Sequence, residues 1–136
     1  LIDMGIEPFL ISSTVIGVLA QRLIRRCCNN CKEAYIPDDK ELRLLGTTRE
    51  EIEGKPFYRG HGCELCNGSG YKGRVGIFEL LRVSEPIQGM INRRTPSQDI
   101  KRKAIEEGML TLRVDGINQV LSGITTAAEV LQYTMI

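Results

Sequence analysis

From Phe9 to Arg26 the apolar residues recur at steps of three and four, which predicts a helix entered through Pro8. Ile16, Leu19, Leu23 and Cys27 form its apolar stripe. Arg22, Arg25 and Arg26 occupy its last turn, where the negative end of a helix dipole favours cations. Leu1 to Met4 reads as the end of a preceding helix, with Gly5 as its C-cap. The pattern changes further on. Phe57-Tyr58-Arg59 reads as a short strand, and Val75 to Val83 as an apolar strand. From Ser84 onward the pattern is helical throughout.

Capping residues set the expected helix boundaries. Pro37-Asp38 starts a short helix that ends at Gly46. Thr48-Arg-Glu-Glu51 has the capping-box spacing and predicts another, ending near Gly54. In the tail, Ser84 caps a helix through Arg93, and Ser97 one through Glu107, closed by Gly108. Thr111 caps a third through Ser122, closed by Gly123. Thr126-Ala-Ala-Glu129 is a second capping box and opens the last helix. The expected fold class is therefore mainly α with a small β component, α+β. Its three segments are 1–26, a cysteine-bearing insert with its return strand at 27–82, and a helical tail at 83–136.

Chemistry enters with the cysteines. The chain has five: Cys27, Cys28, Cys31, Cys63 and Cys66. Four form two C-x-x-C pairs, Cys28-Asn-Asn-Cys31 and Cys63-Glu-Leu-Cys66, with 31 residues between the pairs. Each such turn aims two sulfurs at one point, and two turns complete a tetrahedron. This is the donor set of a structural zinc site, with Cys28, Cys31, Cys63 and Cys66 as ligands. The alternatives are two disulfides or four buried free thiols. The separation exceeds the ribbon range of about 15 to 20 residues, so the site encloses a larger insert. Four sulfur ligands leave no open position for water, which makes the expected zinc structural rather than catalytic. Arg25, Arg26, Lys32, Lys72 and Arg74 lie nearby to offset the thiolate charge.

Cys27 competes with Cys28 as a ligand, since Cys27 to Cys31 is also a tolerated spacing. Cys28 makes the two pairs identical, and Cys27 continues the apolar stripe, so Cys27 reads as core. His61 is the single histidine. Set between Gly60 and Gly62, it reads as a solvated loop residue, with replacement ligand or general base as the other options. Six of the 14 glycines fall between Gly60 and Gly76 and frame the second cysteine turn. C-x-x-C-x-G-x-G at residues 63–70 is no phosphate loop, because it lacks the Gly-Lys-Ser/Thr ending.

Composition narrows the function classes. The 136 residues are 42% hydrophobic and 26% charged, which excludes a disordered chain and allows one domain or two small ones. Lys+Arg 18 against Asp+Glu 17 gives +1, so no basic footprint for nucleic acid covers the whole chain. The longest uncharged run, Pro8 to Gln21, is shorter than the about 20 apolar residues of a spanning helix. Acids precede that run and bases follow it, the reverse of a signal peptide. The odd cysteine count and the missing secretory signal predict a reducing compartment. A start at Leu1 rather than Met suggests a piece of a longer chain.

Several runs together resemble one known family. Leu1-Ile-Asp-Met-Gly-Ile-Glu-Pro-Phe-Leu10 is one, and Ala20-Gln-Arg-Leu-Ile-Arg-Arg-Cys-Cys28-Asn-Asn-Cys31 another. Cys63 to Arg74, Glu107 to Gly116 and Gly123 to Glu129 complete the set. They resemble the C-terminal part of the secretion ATPases, the type II secretion and extension-type type IV pilus assembly motors. The resemblance covers nearly the whole chain. It implies that residues 1–26 end a RecA-like α/β ATPase core, that a tetracysteine zinc subdomain follows, and that a helical subdomain closes the chain. It also implies a cytoplasmic homohexamer, peripheral at the inner membrane, that works on an inner-membrane platform protein in protein transport or pilus assembly. Retraction-type pilus motors generally lack the zinc insert, so the cysteines favour the assembly branch.

One departure bears on activity. No G-x-x-x-x-G-K-[ST] occurs in these residues, and no catalytic or nucleotide-binding residue is assigned. By resemblance, the ATP and Mg2+ site lies upstream in the parent, and this segment alone is expected to be inactive. Gln21 and Arg22, near the end of the first predicted element, read as solvated, with a nucleotide or a neighbouring subunit as the alternative. Two other functions compete. One is an independent zinc-stapled module binding nucleic acid or protein. The other is a chaperone-like zinc region, because C-x-x-C-x-G-x-G resembles the J-protein cysteine-rich domain, where the motif is repeated and here is single.

Overall fold

The computed structural model describes residues 4–134. Its elements run in chain order as α1 (Pro8–Thr14), β1 (Gly17–Cys27), β2 (Lys32–Tyr35), α2 (Asp39–Leu45) and β3 (Phe57–Gly60). A single 3-10 turn (Glu64–Cys66) then precedes β4 (Tyr71–Arg82), α3 (Glu85–Asn92), α4 (Ser97–Glu106), α5 (Leu112–Leu121) and α6 (Ala127–Thr134). The fold is α+β, as expected. No helix among the described residues is long and apolar enough to cross a membrane.

The largest correction concerns residues 9–26. The helix stops at Thr14, and Gly17–Cys27 is a strand paired with β4. The break falls at Thr14-Val15-Ile16-Gly17, three β-branched residues and a glycine, a poor run for helix propagation. Pairing with β4 then decides the conformation. Val83 donates to the Ile16 carbonyl at one end and Cys28 to the Gly70 carbonyl at the other, so the strands run in opposite senses. Ile16, Leu19 and Leu23 are exposed rather than a buried stripe, while Ile24 and Cys27 are buried. Arg22, Arg25 and Arg26 therefore cap no helix. Leu1 to Asp3, where a preceding helix was expected, lie outside the described residues.

Other expectations fare differently. The α2 helix starts and stops where its caps predict: the Asp38 carboxylate accepts the Glu41 N–H at 2.8 Å, and Gly46 ends it. Thr48 accepts the Glu51 N–H at 3.1 Å, but residues 49–54 close as hydrogen-bonded turns rather than a helix. Glu53 and Gly54 both adopt left-handed backbone, so the nucleus is not propagated. The strand expected from Val75 starts four residues earlier, at Tyr71. Ser84 caps α3, accepting the Ile87 N–H at 3.4 Å. Ser97 is the first helical residue of α4 rather than its cap, because Pro96 holds the extended cap position without a side-chain bond.

The chain divides into two compact units. One comprises the described residues up to Ala20 with Glu79–Thr111. In it, Ile11, Ile87 and Ala104 are buried, and Ser12 hydrogen-bonds Asn92 at 2.8 Å. The other comprises Gln21–Phe78 and the described residues from Leu112. Its core joins Ile24, Phe57 and Ile77 from the strands with Leu42 and Leu45 of α2 and Ile117, Val120 and Val130 of α5 and α6. β2 and β3 pair antiparallel, with Lys32 opposite Gly60 and Tyr35 opposite Phe57. Arg113 ties α2 to the tail. Its guanidinium donates to the carbonyls of Leu44 and Leu45, both at 3.1 Å, satisfying the open end of that helix.

Candidate metal centre

The first cysteine turn follows directly from β1. Cys31 and Lys32 both donate to the Cys28 carbonyl, at 3.3 and 3.0 Å, and the chain reverses into β2. The second turn follows β3. Cys63 precedes the 3-10 turn, Gly68 donates to the Cys63 carbonyl at 2.9 Å, and Asn67 takes a left-handed conformation. Because β2 and β3 are paired, their outer ends carry the two turns to the same place. The four sulfurs lie within 4.8 Å of one another.

Cys28 to Cys63 is 3.7 Å between sulfurs, Cys31 to Cys66 is 3.8 Å, and Cys63 to Cys66 is 3.6 Å. No sulfur–sulfur bond joins any of the five cysteines. Four thiolates at about 2.3 Å from a tetrahedral ion stand about 3.8 Å apart, so the donor set fits such an ion without rearrangement. Cys28, Cys31 and Cys66 are buried, and Cys63 is half-buried beside a hollow lined by His61, Glu64 and Asn67. These four cysteines can hold a metal ion.

Backbone donors favour the thiolate form in the second turn. The N–H groups of Cys63 and Gly70 both point at the Cys66 sulfur, at 3.2 Å. Burial pushes the Cys66 thiol up, and these donors outweigh it, bringing it down to about 6. A hydrogen bond from the Asn30 side chain holds Cys63 below the usual thiol range. Burial pushes the Cys31 thiol up to about 12, outweighing a backbone donor at Gly62 that pulls the other way. Cys63 and Cys66 are thus more acidic than Cys31.

Cys27 is buried, as its core assignment requires, but as the end of a strand and outside the sulfur cluster. Replacing Cys27 by Ser is accordingly expected to leave the metal content of the chain unchanged, measured by elemental analysis after gel filtration. Loss of metal in Cys27→Ser, with retention in Cys28→Ser, would reverse the ligand assignment. His61 is exposed, 3.3 Å from the Glu33 carboxylate, and is not in the cluster. Gln21 and Arg22 are exposed.

The supports of the centre were less legible in the sequence. Lys32 donates to the Gly123 carbonyl at 2.9 Å, and Arg25 and Glu129 pair at 2.7 Å across 104 positions of chain. Nothing local marks Lys32. Glu129 carries a local signal that points elsewhere, because it completes a capping box. Thr126 does accept the Glu129 N–H at 3.2 Å, yet the Glu129 carboxylate turns to Arg25 instead of its own cap.

A family model described as Type II/IV secretion system protein matches residues 1–132. The chain belongs to this family. It is 50% identical to the type IV pilus assembly ATPase PilB of Thermus thermophilus over 133 residues, 98% of this chain and 15% of that protein. It is 43% identical to type II secretion system protein E of Pseudomonas aeruginosa over 134 residues, covering 98% of this chain and 26% of the relative. With the type II secretion system ATPase E of Vibrio cholerae the identity is 44% over 132 residues, 97% of this chain and 26% of the relative. The chain thus spans about a quarter or less of the length of these relatives. In a secretion-system family member of this size, the four-cysteine cluster is the clearest chemical feature.

Proposed function

We propose that this chain is the zinc-bearing C-terminal segment of a hexameric ATPase that powers type IV pilus assembly or type II secretion. Zinc on Cys28, Cys31, Cys63 and Cys66 is its structural cofactor, and residues 27–82 are the insert that carries it. The observation behind this reading is the sulfur geometry, inside a chain whose relatives are named as assembly and secretion ATPases. Four sulfurs saturate a tetrahedral ion, so the metal staples the fold and activates no water. The segment acts mechanically, as a scaffold, a contact between hexamer subunits and a docking surface for an inner-membrane platform protein. ATP and Mg2+ bind in parts of the motor that these residues do not encode.

The test is metal stoichiometry and ATP turnover together. Native mass spectrometry is expected to show one zinc per chain. The 136 residues alone are expected to leave ATP intact, whereas a longer polypeptide containing a phosphate loop hydrolyses it. Zinc-free folded protein, or ATP hydrolysis by these residues alone, would overturn the reading. Binding of DNA or RNA at low salt would favour an independent zinc module instead.

A further inference from the structure

We propose that Glu129, at the start of α6, is a positioning residue for the cysteine centre, acting through Arg25 and the end of β1 on Cys28. The inference rests on the zinc reading above and adds to it a residue 63 positions beyond the last ligand.

Glu129 is 1% exposed. A buried carboxylate persists only with full compensation, and here one residue supplies it. The Arg25 backbone N–H donates to Oε2 at 2.8 Å, and the Arg25 guanidinium donates to Oε1 at 3.0 and 2.7 Å. Simple packing of α6 against the strand would be served by an apolar side chain. Gripping both the amide and the side chain of one residue does something more specific, because it sets the register of β1 three residues before Cys28.

The rest of the α5–α6 junction holds the same stretch. The Thr125 hydroxyl donates to the Arg25 carbonyl at 2.8 Å, and the Cys27 N–H to the Ile124 carbonyl at 2.8 Å. The next residue is Cys28, whose N–H goes to the Gly70 carbonyl at 3.0 Å. Gly70 in turn donates to the Cys66 sulfur at 3.2 Å. Hydrogen bonds joined by the backbone from Arg25 to Cys28 therefore lead from Glu129 to both cysteine turns. Tyr71 reinforces it. Its ring lies 4.0 Å beneath the Arg25 guanidinium, and its hydroxyl meets the Thr126 hydroxyl at 2.8 Å. Groups outside the ligand shell that orient it commonly change metal affinity 10–100-fold when removed. Coupling is reciprocal, so metal binding must also steady the junction.

The experiment uses the zinc-loaded full chain. Zinc release to a chromogenic chelator is followed for the wild type, Glu129→Gln and Ile87→Ala, the last truncating a buried side chain of α3, outside residues 28 to 80. Glu129→Gln is expected to release zinc about tenfold faster or more, and Ile87→Ala at the wild-type rate. Equal rates for Glu129→Gln and the wild type, or equal acceleration in both variants, would overturn the inference while leaving the zinc reading intact. A wild type that takes up no zinc overturns both. Hydrogen exchange of the wild type covers the case in which Glu129→Gln does not fold. Removing zinc is expected to lower protection at Ile124 to Val130, and unchanged protection there with zinc loaded and removed overturns the proposal.

Discussion

Replacing Cys63 by serine is expected to release the metal and to loosen residues 28 to 80. The reason is the small size of what else holds that stretch. β2 and β3 form a two-stranded sheet with four paired positions, and such a ribbon is marginal by itself in water. Behind it, Leu42, Leu45, Ile52 and Phe57 are buried in a segment whose two ends are joined by that ribbon and by the sulfur cluster. Structural zinc at such sites supplies on the order of 10 kcal/mol of folding free energy. That exceeds what a small core of this kind provides after chain entropy is subtracted. Elemental analysis together with hydrogen exchange across residues 28–80 is the measurement. Full zinc content in Cys63→Ser, or unaltered protection after zinc loss, would show that the centre is not the staple.

Gly70→Ala is the next most severe change. Gly70 and Gly60 touch backbone to backbone. A Cβ on Gly70 would lie 2.4 Å from the Gly60 carbonyl oxygen, and one on Gly60 would lie 2.3 Å from that of Gly70. Neither obstruction is a flexible side chain that could swing aside. Gly70 also sits at φ +82°, in the left-handed region, where an alanine is strained even with free space. Backbone strain of about 1–3 kcal/mol and overpacking of about 1–3 kcal/mol act together, a loss of about 2–6 kcal/mol. The same residue gives its N–H to Cys66 and its carbonyl to Cys28, so moving it misaims a sulfur in each turn. Thermal unfolding of the zinc-loaded variant should show a large drop in Tm and weaker zinc retention. A wild-type Tm would mean that the glycine contact opens at little cost.

The two substitutions fail for different reasons, and the sequence exposes them unequally. The cysteines announce themselves because a metal site needs particular donor atoms at particular short spacings, and C-x-x-C is read without any fold. The glycines around residues 60–76 are visible as a cluster, but their pairing is not. That Gly60 faces Gly70 follows from β3 leading into the second turn and β4 leading out of it. Helix caps at Asp38 and Ser84 were legible for the same reason as the cysteines, since a cap acts within three residues. Ser97 misled, because Pro96 before it already supplies the extended entry to α4.

Residues 9–26 show the limit most clearly. Spacing of three and four is satisfied by Ile16, Leu19, Leu23 and Cys27, yet Gly17–Cys27 is a strand and the first three of these side chains are exposed. Hydrophobic spacing reports a preference of tenths of a kcal/mol per residue. A long partner strand more than 40 residues away satisfies every second amide and carbonyl, and that outweighs the preference. Glu129 is the parallel case among side chains. Its position predicts a local cap, and a guanidinium partner 104 residues distant takes the carboxylate instead. What the sequence alone determined, then, acts at short range: the two cysteine turns, the sites of most caps, the helical tail and the family. The tertiary structure decided the strand at 17–27, the backbone contact that closes the second turn, and the bond from Glu129 of α6 to Arg25 near the cysteine cluster, because each needs a partner that only folding brings near.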